Sequence, residues 1–371
     1  MKKIILATLV LLFFIASNSK SQTSNDILNL LIQRNLITQE EADSLRSEDA
    51  IKQQDNEAKR KSFGITASKL FQLDGYTNIR YQVNDEHGKI DGFDIRRVYL
   101  GFRGTLSPYW SYRFQADFAA TPKIVDAYIE YKLNDYLNFT LGQFILPFSL
   151  ESVTSNLKLD FIDRSQVVEA LVARGKDVIG NYNGRDIGVQ VGGTLLKLNE
   201  KPLVEYKIGL FNGSGTNQTD KNESKDLVSR ICINPIKGLS FGASYYNGVG
   251  NFGTPAVNRK RERFGLEARY DYLNFSLRGE YIKGTDRVTK REGYYLQAGY
   301  YMIPQKLQLV AKLDAYDPDT ATEDNASTWY IGGINYTFNP NIRLLANYTV
   351  KTEQSGDYNN NLASVQLQVS F

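Results

Sequence analysis

From about Lys69 to Phe371 the chain alternates apolar and polar residues with a period of two. Trp110, Tyr112, Phe114, Ala116 and Phe118 interleave with Ser111, Arg113, Gln115 and Asp117. Val125, Ala127, Ile129, Tyr131 and Leu133 interleave with Asp126, Tyr128, Glu130 and Lys132, and the same rhythm runs through Phe264–Tyr270 and Ile342–Val350. Successive side chains of a strand point to opposite faces, so each segment reads as a strand with one oily and one wet face. Alternation alone fits a soluble sandwich as well as a membrane barrel, since both wet one face.

The connections separate the two. Short turns are expected at Ser107-Pro108, Asn134-Asp135, Asn199–Lys201, Asn234–Lys237, Tyr270–Tyr272, Pro304–Lys306 and Asn339–Asn341. Between them come longer polar loops: Asn84–Gly92, Leu146–Gly184, Gly213–Glu223, Gly250–Asn258, Gly284–Lys290, Asp317–Ala326 and Glu353–Asn360. The short link at Thr121-Pro122 is the exception. Alternating short turns and long loops mark an outer-membrane barrel whose turns face the periplasm. A soluble sandwich would need further sequence to cover its apolar faces. The expected fold is all-β: a 16-stranded antiparallel transmembrane β-barrel over 69–371, at about 19 residues per strand and connection. Its last strand alternates to the terminal Phe371, an aromatic end that the barrel assembly machinery would read.

Composition sharpens this picture in three places. Tyr (24) and Phe (19) far outnumber Met (2), a balance that favours strands. Tyr109, Trp110, Tyr131, Tyr136, Tyr270, Tyr272, Tyr300, Tyr301, Trp329, Tyr336 and Phe338 fall near strand ends, as an interfacial girdle in contact with outer-membrane lipid requires. The net charge of +3, one His (His87) and one Cys (Cys232) give no basic field for nucleic acid, no zinc set, no His-based triad and no internal disulfide. No cofactor or metal is expected, and the acidic loop Asp317–Asp324 does not have EF-hand spacing. His87 has no serine motif beside it, so an enzyme is not expected.

Met1-Lys2-Lys3, the apolar run Ile4–Ala16 and the small residues after it read as a signal peptide over 1–21, with export to the outer membrane. Residues 22–68 read as a periplasmic helical segment and linker. Ile27, Leu28, Leu30 and Leu31 give a short apolar face, and Thr38-Gln-Glu-Glu41 is a capping box.

One connection is out of scale. Leu146–Gly184 is too long for an ordinary loop and too apolar for a solvated one, with Phe148, Leu157, Phe161, Ile162, Val167, Val168, Leu171 and Val172. It needs an enclosed space, and the barrel interior supplies one. Sixteen strands leave an aqueous channel, so inward polar residues set what passes. The inward set includes Arg80, Arg97, Arg113, Lys207, Arg278, Lys312 and Arg343, but also Asp117, Glu130, Glu205, Glu267, Glu280 and Asp314, so it forms no one-sign ladder. Arg96-Arg97 lies just below the external mouth, and the folded-in loop would add Lys158, Arg164, Arg174 and Lys176. Cations in a narrow low-dielectric passage concentrate anions, and arginine grips phosphate or carboxylate through paired hydrogen bonds.

Phe93-Asp-Ile-Arg-Arg-Val-Tyr-Leu-Gly-Phe102, Gly142-Gln-Phe-Ile-Leu-Pro-Phe-Ser-Leu-Glu151, Phe161-Ile-Asp-Arg-Ser165 and Gly184-Arg-Asp-Ile-Gly-Val-Gln190 resemble the phosphate-selective porin O/P family, in order and spacing. The resemblance covers the barrel and implies a homotrimeric channel whose long loop, 146–184, folds inside as a constriction. It implies passive diffusion of small anions such as phosphate or polyphosphate past Arg96, Arg97 and Arg164. Lys158, Arg113 and Arg174 are secondary pore candidates. Where the phosphate-specific members have Lys after Gly-Leu-Glu, this chain has Ser152 after Ser149-Leu-Glu151, and Asp160 and Asp163 add negative charge. A general small-solute porin without phosphate selectivity therefore stands beside the phosphate reading.

Overall fold

A bilayer offers no partners to bare backbone N–H and C=O groups, so a membrane sheet must leave no edge. The computed structural model of the chain describes residues 33–34, 66–172, 184–198, 201–252 and 255–371. The expected signal peptide lies outside these residues. So does the expected helical segment, apart from Gln33, Arg34 and the strand at Thr66–Ser68.

The described strands are β1 (Thr66–Ser68), β2 (Phe71–Asn84), β3 (Gly92–Thr105), β4 (Trp110–Asp117), β5 (Lys123–Lys132), β6 (Asn138–Ile145), β7 (Arg185–Leu198), β8 (Lys201–Phe211) and β9 (Asp226–Ile236). They continue as β10 (Leu239–Phe252), β11 (Val257–Tyr272), β12 (Phe275–Asp286), β13 (Thr289–Ile303), β14 (Leu307–Asp317), β15 (Ser327–Asn339), β16 (Ile342–Glu353) and β17 (Leu362–Ser370). From β2 to β17 each strand pairs antiparallel with its sequence neighbour. The last pairs with the first, from Leu362↔Asn84 to Ser370↔Tyr76. The result is a closed 16-stranded antiparallel barrel. Strand β1 pairs with the start of β2, so the sheet begins three residues before the expected boundary. No helix among the described residues is long and apolar enough to cross a membrane; the strands do the crossing.

The seam has a specific lock. Phe371 N–H donates to Gly75 O at 3.0 Å and Gly75 N–H donates to Phe371 O at 3.1 Å. The Phe371 ring lies over Gly75, where an added Cβ would come within 2.5 Å of it. Gly75→Val is therefore expected to push the ring off the seam and cost roughly 1–3 kcal/mol as an overpacked contact. A urea midpoint equal to the parent's, read by heat-modifiable mobility, would disprove it.

Alternation resolves as the sequence demands. Leu141, Leu210, Leu266 and Leu296 stand exposed on the outer face, while Gln115, Glu267, Glu280 and Gln366 are buried on the inner one. Four expectations change. A bulge in β5 opposite Gln115 and Ala116 turns Val125 inward, where it packs with Tyr76 and Tyr99, leaving Ile124 outside. Trp329 faces the lumen beside the cluster of Phe161, Val310 and Ile331, and Tyr301 faces it opposite the buried Gln308, so neither is part of the girdle. The segment Gly250–Asn258 is largely strand, with β10 paired to Phe252 and β11 from Val257. The segment Gly284–Lys290 is strand on both sides of a tight turn at Arg287 and Val288. Polar residues can continue a paired hairpin above the lipid band, which is why polarity there did not mean loop.

Candidate functional site

The link between β6 and β7 starts with Leu146 N–H donating to Gly184 O at 2.9 Å, which closes its base like one more rung of the ladder. Its described part holds two short helices, α1 (Leu150–Val153) and α2 (Gln166–Leu171), and a 3-10 turn at Asn156–Lys158. Ser149 enters α1 with φ of 69°, a left-handed backbone that a side chain rarely adopts. Its Oγ accepts from Ser152 N–H at 3.2 Å, which holds the turn. The family pattern has glycine at this position, the residue to which such a φ costs least.

This segment touches strands all around the wall. Ser149 N–H meets Ser244 of β10 at 3.3 Å, and Leu150 and Glu151 N–H meet Glu280 of β12 at 2.9 and 2.6 Å. Gln166 N–H meets Asp314 of β14 at 3.0 Å, and Ile162 N–H meets Asn347 of β16 at 2.9 Å. Gln368 of β17 donates to Leu157 O at 3.3 Å, and Asn156 donates to the Tyr76 hydroxyl of β2 at 2.7 Å. A segment bonded to opposite sides of a closed wall lies inside it. Glu280 and Asp314 supply the carboxylates that satisfy the bare first turns of α1 and α2.

Apolar seats fix the same placement. Phe148, Val167, Val168 and Leu171 pack with Phe144, Phe211, Val228, Tyr246, Ile282 and Tyr295. Leu157 packs on Tyr76, Tyr99 and Val125. Ion pairs complete it. Lys312 Nζ sits 3.0 Å from Glu151, 3.2 Å from Ser165 Oγ and 4.6 Å from the Phe161 ring centre. Asp160 takes Arg278 at 3.0 Å and Arg343 at 3.8 Å.

The two adjacent arginines have different jobs. Consecutive strand residues face opposite sides, but β3 carries a bulge: Asn78 pairs Arg97, Ile79 pairs Ile95, and Arg96 is the extra residue. Both side chains thereby reach the lumen. Arg96 donates to Ile162 O at 2.7 Å and pairs with Asp163, so it clamps the tip of the loop. Arg80 holds Asp94 with two hydrogen bonds and lies 3.6 Å from Asp163. Arg97 makes no side-chain hydrogen bond or ion pair among the described residues, yet its charge acts on Asp163 and Arg164.

Arg164 is placed differently from the expected lining residue. It is 4% exposed, and its three nitrogens go to Glu151 O (3.0 Å), Asn156 Oδ1 (2.7 Å) and Thr154 O (2.8 Å). All of these belong to the loop itself. Arg113 is spent on Asp74 through two hydrogen bonds. Lys158 is exposed at the 3-10 turn, and Arg174 lies outside the described residues. Lys207, expected to face inward, is an exposed lumenal lysine opposite Arg230, which itself pairs with Glu267. Ser152 is fully buried with its Oγ unpartnered, so no charge stands at that position.

Burial pushes the Asp163 carboxyl up, but Arg96, Arg80 and Arg97 outweigh it and hold the group below its usual range. The stabilisation is therefore complete above the ordinary carboxylate pKa and is lost as pH falls through the depressed one. Acid is expected to loosen the loop tip, seen as added current noise in single-channel records. Asp163→Asn should show that noise at neutral pH and no further acid step; a parent-like acid profile would contradict this.

Comparison with known proteins now adds to the geometry. Residues 71–254 match the family of phosphate-selective porins O and P, and residues 181–370, over half of the chain, match the Gram-negative porin family. Comparison with curated protein sequences finds no match. Among solved structures, OmpF of Salmonella typhi in complex with daunomycin superposes with a TM-score of 0.61 at 13% identity, covering 83% of this chain and 100% of that one. The outer membrane channel DcaP of Acinetobacter baumannii gives 0.60 at 14%, covering 83% and 99%. OmpT of Vibrio cholerae gives 0.59 at 11%, covering 83% and 100%. At these identities the structures speak for the fold. With a closed 16-stranded wall, a lumenal loop and the family match, the chain belongs to the Gram-negative porins, and is an outer-membrane channel rather than an enzyme.

Proposed function

We propose that the channel passes small anions in preference to cations, hydrogen phosphate among them. The observation that carries this is Arg97. Most of its lumenal neighbours are matched to a carboxylate: Arg80 and Arg96 to Asp163, Arg113 to Asp74, Arg278 to Asp160, Lys312 to Glu151. A matched pair projects little net field, whereas a lone guanidinium beside a narrowing attracts anions. Arg96 and Arg164 serve in this reading by positioning the loop against which ions pass Arg97. Lys158 and Lys207, both exposed, add positive charge.

The same pairing supports a second reading, a general small-solute porin without phosphate selectivity, because most of the wall's charge is internally cancelled and Ser152 is neutral. Reconstitution of the full chain in a planar bilayer decides. A potassium chloride gradient should give a reversal potential on the anion side, and replacing chloride by phosphate should leave a measurable anion current. A cation-side potential would end the anion reading; an anion-side potential in which dilute phosphate passes without displacing chloride would leave the general porin.

We further propose a homotrimer built on β4–β6. These strands have 8, 10 and 8 residues. At roughly 3.4 Å per residue and about 40° of tilt, 8 residues rise only about 21 Å, below an apolar band of about 25 Å. Such a low wall is poorly covered by lipid, and it carries aromatic contacts from Phe71–Phe102 and Phe102–Phe114 to Trp110–Tyr131. A cysteine at Tyr131 should cross-link between copies in detergent; purely monomeric product would refute the placement.

A further inference from the structure

Beside the arginine pair lies a set of amide carbonyls that the loop contacts leave unused. Asn78 stands opposite Arg97 on β3 and opposite Gln368 on β17, and Gln366 stands opposite Arg80. All share the inner face with Tyr76, whose hydroxyl accepts from Asn156 of the 3-10 turn. Asn78 is 1% exposed, yet neither its Oδ1 nor its Nδ2 has a partner among the described residues. Gln366 and Gln368 are 2% and 5% exposed, and the Oε1 of each is also unpaired. Gln368 is oriented by the bond from its Nε2 to Leu157 O. Buried polar atoms are almost always bonded, so a cluster of three unpaired carbonyl oxygens beside an unpaired guanidinium asks for a guest.

We propose that Arg97, Asn78, Gln366 and Gln368 form an oxyanion subsite that selects anions bearing their own hydroxyl group over those that bear none. This rests on the anion reading above and names the class of anion. Arg97 and the Asn78 amide N–H group donate to the charged oxygens of the guest. The unpaired carbonyl oxygens of Asn78, Gln366 and Gln368 accept its O–H. Hydrogen phosphate has such an O–H at neutral pH. Sulfate has none, and would set lone pairs against those same carbonyls. A site built around a hydrogen bond to a hydroxyl rejects the analogue without it, because its own buried acceptors are then left empty. Neutral amides suit the task better than carboxylates: they read the O–H without repelling the anion.

The test titrates phosphate or sulfate against the chloride current of the reconstituted full chain at neutral pH. Phosphate is expected to half-block at about tenfold lower concentration than sulfate, the effect of one charge-assisted hydrogen bond. Asn78→Leu should bring the two concentrations together. Gln366→Met should narrow the ratio while keeping the side chain's volume and removing an oxygen that bonds nothing, so it reads the proposal even if Asn78→Leu fails to assemble. Equal block by both oxyanions in the parent chain, or a ratio untouched by Gln366→Met, overturns the subsite. A parent chain that does not prefer chloride over potassium refutes the anion reading itself, which is a different failure.

Discussion

Arg97→Glu is expected to carry the reversal potential in a potassium chloride gradient from the anion side to the cation side. The change is two units of charge at a lumenal position whose guanidinium pairs with no carboxylate among the described residues. An ion passing at a separation of about 8 Å, with an effective dielectric of about 20, feels each unit as about 2 kcal/mol. That exceeds what the screened and matched pairs elsewhere on the wall can restore. Arg96→Gln gives the contrast. It removes the clamp on Ile162 O and Asp163 and should raise current noise more than it shifts selectivity. A reversal potential unmoved by Arg97→Glu would take Arg97 out of the ion path.

Lys312→Ala is expected to have the largest effect on the loop. Lys312 Nζ is buried against Glu151, Asp163 O and Ser165 Oγ, and Glu151 is itself 5% exposed. Removing the ammonium strands a buried carboxylate, at a cost of about 3–5 kcal/mol. The loop should leave its seat, raising single-channel conductance, lowering selectivity and opening 146–172 to protease. Lys312→Met with Glu151→Gln removes both charges and should recover much of the parent behaviour. Parent-like conductance in Lys312→Ala alone would show that the apolar seats hold the loop unaided.

The barrel was legible because period-two alternation and turn spacing are properties of local sequence. The lumenal loop was legible for a related reason: Phe148, Val167 and Leu171 cannot be left in water on a long link, and a wide barrel has room for them. What escaped depends on one-residue shifts of register. No pattern announces the bulge at Arg96. Yet an arginine facing mid-bilayer lipid costs roughly 2–4 kcal/mol, so two adjacent arginines in a strand already imply that register is broken there. Val125 was misplaced by the same kind of shift. Arg164 shows another limit. Its charge can be read from the sequence, but its three bonds to Glu151, Thr154 and Asn156 exist only once the loop is folded. The hairpins at β10–β11 and β12–β13 look like loops in sequence because polarity above the lipid band says nothing about pairing.

The helix caps of the lumenal loop come from Glu280 and Asp314, each more than a hundred residues further along the chain than the turn it caps. The flap therefore cannot set its own shape while it is being made. Until β12 and β14 arrive, α1 and α2 have open first turns and nothing to lean on. Assembly must then run in one direction, with the wall rounding up before the gatekeeper settles, and a closed barrel caught before that last step would conduct as a wide and indiscriminate hole.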